Sequence, residues 1–343
     1  VTLKGDTQIQ FGLRDANPAL DDVMASFDKI DGGASYPTLF KPDVEIKVKN
    51  HIQGIARLPR RESPPWFVLS KSDEHAAKLA GVLLVRYAES ASTGEALKRQ
   101  GPAGGNGTGA TAHFWARDLS RHPGGLQQCG SIVAVAQDPK IGVSFVSLFD
   151  LHDPDHASRL NTLTLDGTHH TGNPHDERIA QGLTCVGLTR LHDGTSLLFA
   201  YRYSDSQPEL CYGQLFRSST PVNANATWTW VSTLTLGKGL PQADWEPKIE
   251  NVALINQTDG AIFLVALHGN GIFNHAALYH LDANGSALTH RANKRVQTWA
   301  GGATFRAGGT TYITPSRELL IYATEKAVPD QNGNMMIEEF TPK

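Results

Sequence analysis

The sequence predicts a single all-β domain made of about five copies of one strand-rich unit, arranged as a closed ring of sheets. Three observations lead there. Pairs of apolar, β-branched segments are joined by tight-turn dipeptides along much of the chain. A short glycine-containing motif recurs ahead of several of those pairs. Helical periodicity is confined to one short stretch, Ser90 to Arg99.

The hairpin signals are the most specific. Val186 to Leu191 runs into His192-Asp193-Gly194 and resumes as Thr195 to Tyr203. Val252 to Asn256 meets Asp259-Gly260 before Ala261 to Leu267. Thr304 to Arg306 leads through Gly308-Gly309 into Thr311 to Thr314, then through Pro315-Ser316 into Leu319 to Thr324. Asn284-Gly285 and Asn332-Gly333 repeat the device. Asp-Gly, Asn-Gly and Gly-Gly supply the positive φ that two-residue hairpins require, and the flanks have strand composition.

The units repeat. His51-Ile52-Gln53-Gly54-Ile55, His122-Pro123-Gly124-Gly125-Leu126 and Ile179-Ala180-Gln181-Gly182-Leu183 each precede a strand pair, and Ala300-Gly301-Gly302-Ala303 is a weaker copy. A fifth unit opens at Trp245-Glu246-Pro247-Lys248 without the glycines. The starts lie roughly 55 to 70 residues apart. One such unit cannot cover both faces of its sheet, but radial stacking buries each face on a neighbour. Glycine at the head of each first strand then suits the crowding near an axis.

In this repeat form the chain resembles β-propeller repeat proteins. The resemblance covers about Lys47 to Phe340 and implies a single propeller of about five blades, with six as the alternative, closed by an N-terminal strand. Residues 1–46 form the arm, with Thr7 to Leu13 expected as the closing strand. Residues 47–343 form the propeller, with blades near 47–90, 122–151, 179–217, 245–283 and 301–340. A pair of β-sandwiches is the competing arrangement and lacks a visible domain boundary.

Composition bounds the function classes. The 343 residues are 40% hydrophobic and 19% charged, enough for one large core. A net charge of -3 with scattered Lys and Arg lacks the basic footprint of a nucleic-acid binder. No apolar run nears the roughly 18 residues of a membrane helix, so neither nucleic acid nor a membrane span is expected. Cys185 and Cys211 could form one disulfide and leave Cys129 free; alternatively all three are buried thiols packed as small apolar groups. A chain starting at Val1 fits removal of a signal peptide or of a tag, and sequons begin at Asn106, Asn225, Asn256 and Asn284. These point to a secreted or periplasmic setting.

No motif names a reaction: there is no His-Glu-x-x-His, Gly-x-Ser-x-Gly, Walker loop, EF-hand loop or Cys-x-x-Cys. Gly101 to Gly109 reads as a flexible loop, and His152 to Arg178 as a long loop between blades. Candidates for chemistry therefore sit at the heads of inner strands. His51 and His122 hold equivalent places and could act as acid and base, or could cap loops. Gln53, Gln127 and Gln181 would line the same channel as neutral hydrogen-bonding groups. Glu246, Lys248 and Glu250 alternate along one strand face, either towards the axis or as a solvated, ion-paired face. Arg306 and Arg57 could pair with an anionic group or lie on the surface.

The cluster His152-Asp153-Pro154-Asp155-His156 and the run from His169-His170 to His175 have metal-ligand types without a diagnostic spacing. The sequence names no cofactor; a divalent metal is the one these types would admit. Trp245 and Trp299 could stack on a sugar or pack between blades. The expectation is one asymmetric polar site at the axial mouth, taking a glycan or other polar small molecule. His51, His122 and Glu246 would be catalytic in a hydrolase or lyase, and Gln53, Gln127, Gln181, Lys248 and Arg306 would bind substrate. A non-catalytic lectin or adhesion propeller is the alternative; it would repeat its ligand residues in every blade, which these units do not.

Overall fold

The computed structural model describes residues 2–9, 17–33, 36–40, 51–58, 66–72, 81–86, 111–116, 122–139, 143–153, 157–165, 182–203, 211–236, 249–269, 273–298, 302–326 and 335–343. In the arm, β1 (Gln8–Ile9) pairs with β2 (Asn17–Pro18), followed by helix α1 (Val23–Lys29) and β3 (Tyr36–Phe40). The rest forms five four-stranded antiparallel sheets. The first holds β4 (Ile52–Arg57), β5 (Trp66–Lys71), β6 (Gly81–Arg86) and β7 (Thr111–Ala116). The second holds β8 (His122–Cys129), β9 (Ile132–Asp138), β10 (Phe145–Asp150) and β11 (Ser158–Thr164). The third holds β12 (Leu183–Arg190), β13 (Ser196–Arg202), β14 (Tyr212–Ser218) and β15 (Trp228–Leu234). The fourth holds β16 (Asn251–Asn256), β17 (Ile262–Gly269), β18 (Phe273–Leu281) and β19 (Leu288–Gln297). The fifth holds β20 (Ala303–Ile313), β21 (Leu319–Glu325) and β22 (Met335–Phe340), with β3 as its outermost strand.

Inner strands pack side by side, β4 on β8, β8 on β12, β12 on β16, β16 on β20, and β20 back on β4. The fold is a five-bladed β-propeller. Burial follows position in the blade. Every residue of β4 and β17 is buried, because neighbouring blades cover both faces, whereas β19 alternates between half-buried and exposed. Outermost strands such as β11, β15 and β19 therefore read as polar sequence, and they extend each sheet past the segments marked by hydrophobic runs.

The N-terminal closing strand is β3, whose Phe40 and Thr38 pair with Met335 and Ile337 of β22. It is not Thr7 to Leu13: Gln8 and Ile9 pair locally with Pro18 and Asn17, and residues 10–13 lie outside the described residues. Pro37 suits β3 because an edge strand tolerates a missing donor. The arm before it crosses the tails of the inner strands. Gly5 bridges Leu191, and the Asn256 amide donates to the carbonyls of Asp6 and Arg190 at 3.2 and 2.8 Å. Helix α1 is capped by the Asp22 carboxylate, which accepts from Ala25 N–H, and it buries Val23 and Phe27 in a cluster with Phe263 and Phe340. Seven residues are too few to give a periodic signal. The expected helix from Ser90 to Arg99 lies outside the described residues, as does Asn332-Gly333.

Near the axis, four of the five inner strands carry a register irregularity close to their heads, and the glycine-free β16 is the regular one. The glycines mark close approach. A Cβ at Gly54 would lie 3.0 Å from Gly125 Cα, and one at Gly125 would lie 2.6 Å from Cys185 Cβ. In the fifth blade the axial glycine is Gly308, where a Cβ would lie 3.1 Å from the Gly54 carbonyl carbon. Gly308-Gly309 is thus no hairpin turn. β20 runs unbroken through it, with residues 305–308 forming an excursion between the pairs Thr304↔Thr324 and Gly309↔Ala323. The true turns are as read, with Gly194, Gly260 and Gly285 all at positive φ.

The seam between the last and first blades buries charge. Arg57 donates to the Tyr322 hydroxyl (2.7 Å), which donates to Glu339 (2.6 Å), and the guanidinium lies over the Tyr312 ring at 4.6 Å. Arg57 is 1% exposed, so it is not a surface residue, and its guanidinium lies 3.7 Å from the Glu339 carboxylate inside the seam. Burial alone would lower its pKa, yet Tyr322, Tyr312 and Glu339 raise it above the ordinary value. Cys185 and Cys211 are buried thiols not joined in a disulfide, and the Cys129 thiol, also outside any disulfide, is pushed by burial up to about 12.

Substituting Val at Gly54, Gly125 or Gly308 is expected to cost about 3 kcal/mol by urea denaturation, through overpacking against backbone. Gly33→Ala should stay within about 0.5 kcal/mol, since among the described residues a Cβ there meets only Asp31 Oδ1 at 3.6 Å. Glu339→Leu, which strands the buried Arg57 charge, should cost about 3–5 kcal/mol, and Glu339→Gln less, because an acceptor for Tyr322 remains.

Candidate functional site

The heads of the inner strands surround a cavity of about 340 Å³. Every blade contributes: His51, Gln53 from the first, His122 and Asp138 from the second, Thr184 and Tyr203 from the third, Glu250 from the fourth, Arg306 and Lys326 from the fifth. The packed axis lies below it. There Gln127 accepts from the N–H groups of Leu188 (2.7 Å) and Leu254 (2.8 Å) and donates to the Leu254 carbonyl (2.9 Å). One amide thereby ties three inner strands. Gln127 is buried in this clamp and is not among the cavity-lining residues, unlike the expectation from its place in the repeat.

The two histidines do meet. Their rings are edge-to-face with centroids 6.0 Å apart. Gln53 bridges them, its amide nitrogen against Nε2 of His51 and 3.2 Å from Nε2 of His122. An amide nitrogen has two hydrogens, so one group can serve both rings when each Nε2 is the accepting nitrogen. His51 is fixed through its backbone, since its carbonyl accepts from Ser72 N–H (2.9 Å) and Ser72 Oγ (3.1 Å) at the end of β5. His51 is 5% exposed, whereas His122 is half-buried and more open to the cavity.

Arg306 owes its place to the β20 excursion. Asn251 donates to the Phe305 carbonyl and Asn274 accepts from the Phe305 N–H, each at 2.8 Å, which presents the next residue to the cavity. Its Nε lies 3.8 Å from Glu250 Oε1, with the Arg306 side chain 55% exposed and Glu250 16% exposed. Of the alternating set, Glu250 lines the cavity; Glu246 and Lys248 lie outside the described residues, as do Gln181, Trp245 and Trp299.

Asp138, Tyr203 and Lys326 were not picked out by the repeat pattern. Each stands where the second strand of a blade returns beside the head of the first; His122 pairs directly with Asp138. Antiparallel pairing of the strand heads was the available signal. Asp138 accepts from Gly182 N–H at 3.4 Å, and Gly182, at φ +82°, leads into β12. His152 and Asp153 are exposed, and no group of three or more side chains able to ligate a metal occurs among the described residues. No helix among the described residues is long and apolar enough to cross a membrane.

No protein-family model matches the chain, and no curated protein matches it. Among solved structures, the GH93 α-L-arabinofuranosidase of Fusarium graminearum with arabinobiose aligns at TM-score 0.41 and 10% identity, over 92% of this chain and 98% of that one. A mutant of an α-L-arabinofuranosidase from the same organism, with an iminosugar inhibitor, gives 0.39 at 10% identity over the same shares. Sqt1 from Chaetomium thermophilum gives 0.31 at 10% identity, over 86% and 82%. Likenesses at this level leave function to be read from the site itself.

A second histidine pair stands outside the cavity lining. His268 of β17 and His275 of β18 face each other across the strands, stacked with centroids 4.9 Å apart. Burial, and then His275, lower the His268 pKa to about 4. The unfolded imidazole titrates near 6.5, so between those values the unfolded chain binds a proton that the folded chain refuses. Stability should therefore fall as pH drops from about 6.5 towards 4, by about 3 kcal/mol in all. Melting temperature against pH reads this directly, and His268→Gln should flatten the profile over that window.

Proposed function

We propose that the protein is an enzyme acting on a carbohydrate by acid–base chemistry at the axial cavity, through hydrolysis or β-elimination. The observation that carries the reading is the pair His51 and His122, brought from adjacent blades to one wall and bridged by Gln53. His122, the more open ring, is the proton-transferring group, and His51 with Gln53 positions it. Glu246 supplies the second acid–base function, while Gln181, Lys248 and Arg306 bind substrate beside Gln53. A cavity lined by hydroxyl, amide, carboxylate and cationic groups suits a ligand dense in hydroxyls. The five blades contribute different side chains to this cavity, and that asymmetry favours catalysis over a repeated lectin site.

A secreted or periplasmic setting belongs to the same reading. The sequons at Asn225 and Asn284 sit on exposed turns, whereas Asn256 is buried with its amide engaged.

The test is a screen of oligosaccharides scored both for new reducing ends, which report hydrolysis, and for ultraviolet-absorbing double bonds, which report elimination. On whatever substrate responds, His122→Gln should leave the melting temperature unchanged and lower turnover by about 100-fold or more. A wild-type protein that binds the sugars without turning them over would be a binding module. A variant that unfolds would make His122 a tether between blades.

A further inference from the structure

The charges around the cavity are unevenly committed. On the acidic side, Asp138 accepts from Gly182 N–H, and Glu250 lies against Arg306. On the basic side, both cations come from the fifth blade and both hold donors in reserve. The Arg306 contact with Glu250, at 3.8 Å, is beyond hydrogen-bond range, so no described residue fills the guanidinium fork. Lys326 is pinned at the seam by its backbone, whose carbonyl accepts Ile52 N–H at 2.9 Å, and no described residue pairs with its ammonium. The fifth blade adjoins the first, which carries His51 and Gln53. An anion held at Arg306 and Lys326 would thus lie beside the acid–base wall.

Resting on the reading of the cavity as a carbohydrate site, we infer that its substrate is an acidic sugar, a uronate whose carboxylate is held by Arg306 and Lys326. The guanidinium fork matches a carboxylate with two parallel N–H donors, and the ammonium adds a point charge that a planar partner does not restrict. A neutral sugar would leave both cations facing a hydroxymethyl group and would gain neither charge-assisted bond. The β20 excursion serves this role: it takes residues 305–308 out of the ladder, at the expense of strand pairing, and sets Arg306 on the cavity wall.

The experiment is calorimetric binding of short oligomers of galacturonate, glucuronate and mannuronate, each beside a twin whose carboxyl groups are reduced to hydroxymethyl. Binding is read without turnover, so the outcome does not depend on the catalytic assignment. At least one uronate oligomer should bind, with its reduced twin weaker by about tenfold or more. Added salt should weaken the uronate and spare the twin. Arg306→Gln and Lys326→Gln should each cost the uronate about tenfold more than they cost the twin, with Arg306→Lys recovering part of that difference. Melting temperatures confirm that the variants are folded. If twins bind as well as uronates, or if uronate binding ignores both substitutions, the acidic class is overturned while the carbohydrate site stands. If neither class binds, both readings fall.

Discussion

The propeller depends on how closely its inner strands meet at the axis. Gly308, Gly54 and Gly125 form a chain of backbone-to-backbone approaches that no Cβ fits into, continued by Cys185 and Asn251. Five blades make a narrow ring, and a narrow ring requires bare backbone at its centre. The irregular registers near the strand heads have the same origin, because crowding forces extra residues out of the ladder there. Gln53, Thr184 and Arg306, displaced in three of these strands, stand in the wall of the cavity. Packing at the centre and the chemistry at the mouth are two results of one steric constraint.

Several polar groups inside this packing are matched by partners on neighbouring strands. Gln127 uses both ends of its amide on the strands around it, and Asn251 and Asn274 hold the backbone of Phe305. Arg57, Tyr322 and Glu339 do the same with charge at the seam, where burial keeps the Tyr322 phenol protonated well above its ordinary range against the opposing pull of Arg57. Such a network has little tolerance for a wrong neighbour, since each member left unpaired would be a buried orphan. It gives the first-to-fifth contact an ion pair that is fully buried, whereas the Glu250–Arg306 pair between the fourth and fifth blades is partly open.

The hairpins at Gly194, Gly260 and Gly285 were legible because a positive φ limits which residues can stand there. The all-β ring and the meeting of His51 with His122 followed from matching strand heads. What stayed hidden has a common cause: the sequence shows what a residue is, not which strand end returns beside it. Lys326, Tyr203 and Asp138 reach the cavity only through antiparallel pairing. Gly308 was mistaken for a turn because a long excursion within one strand has the same composition as a hairpin. Gln127 has the same residue type and a similar repeat position as Gln53, yet it lies deeper and spends its amide on backbone. The outermost strands escaped notice because half of their residues face solvent.

The closing strand also governs how the chain can be made. β3 emerges early, while its only described partner, β22, begins at Met335. At a synthesis rate of roughly 5–20 residues per second, β3 waits about 15 to 60 seconds before its sheet exists. Throughout that interval the growing ring has two open sides, the flank of β4 and an unpaired strand edge, each a template for pairing with another chain. The finished molecule hides this history: β3 and the much later β22 are hydrogen-bonded neighbours.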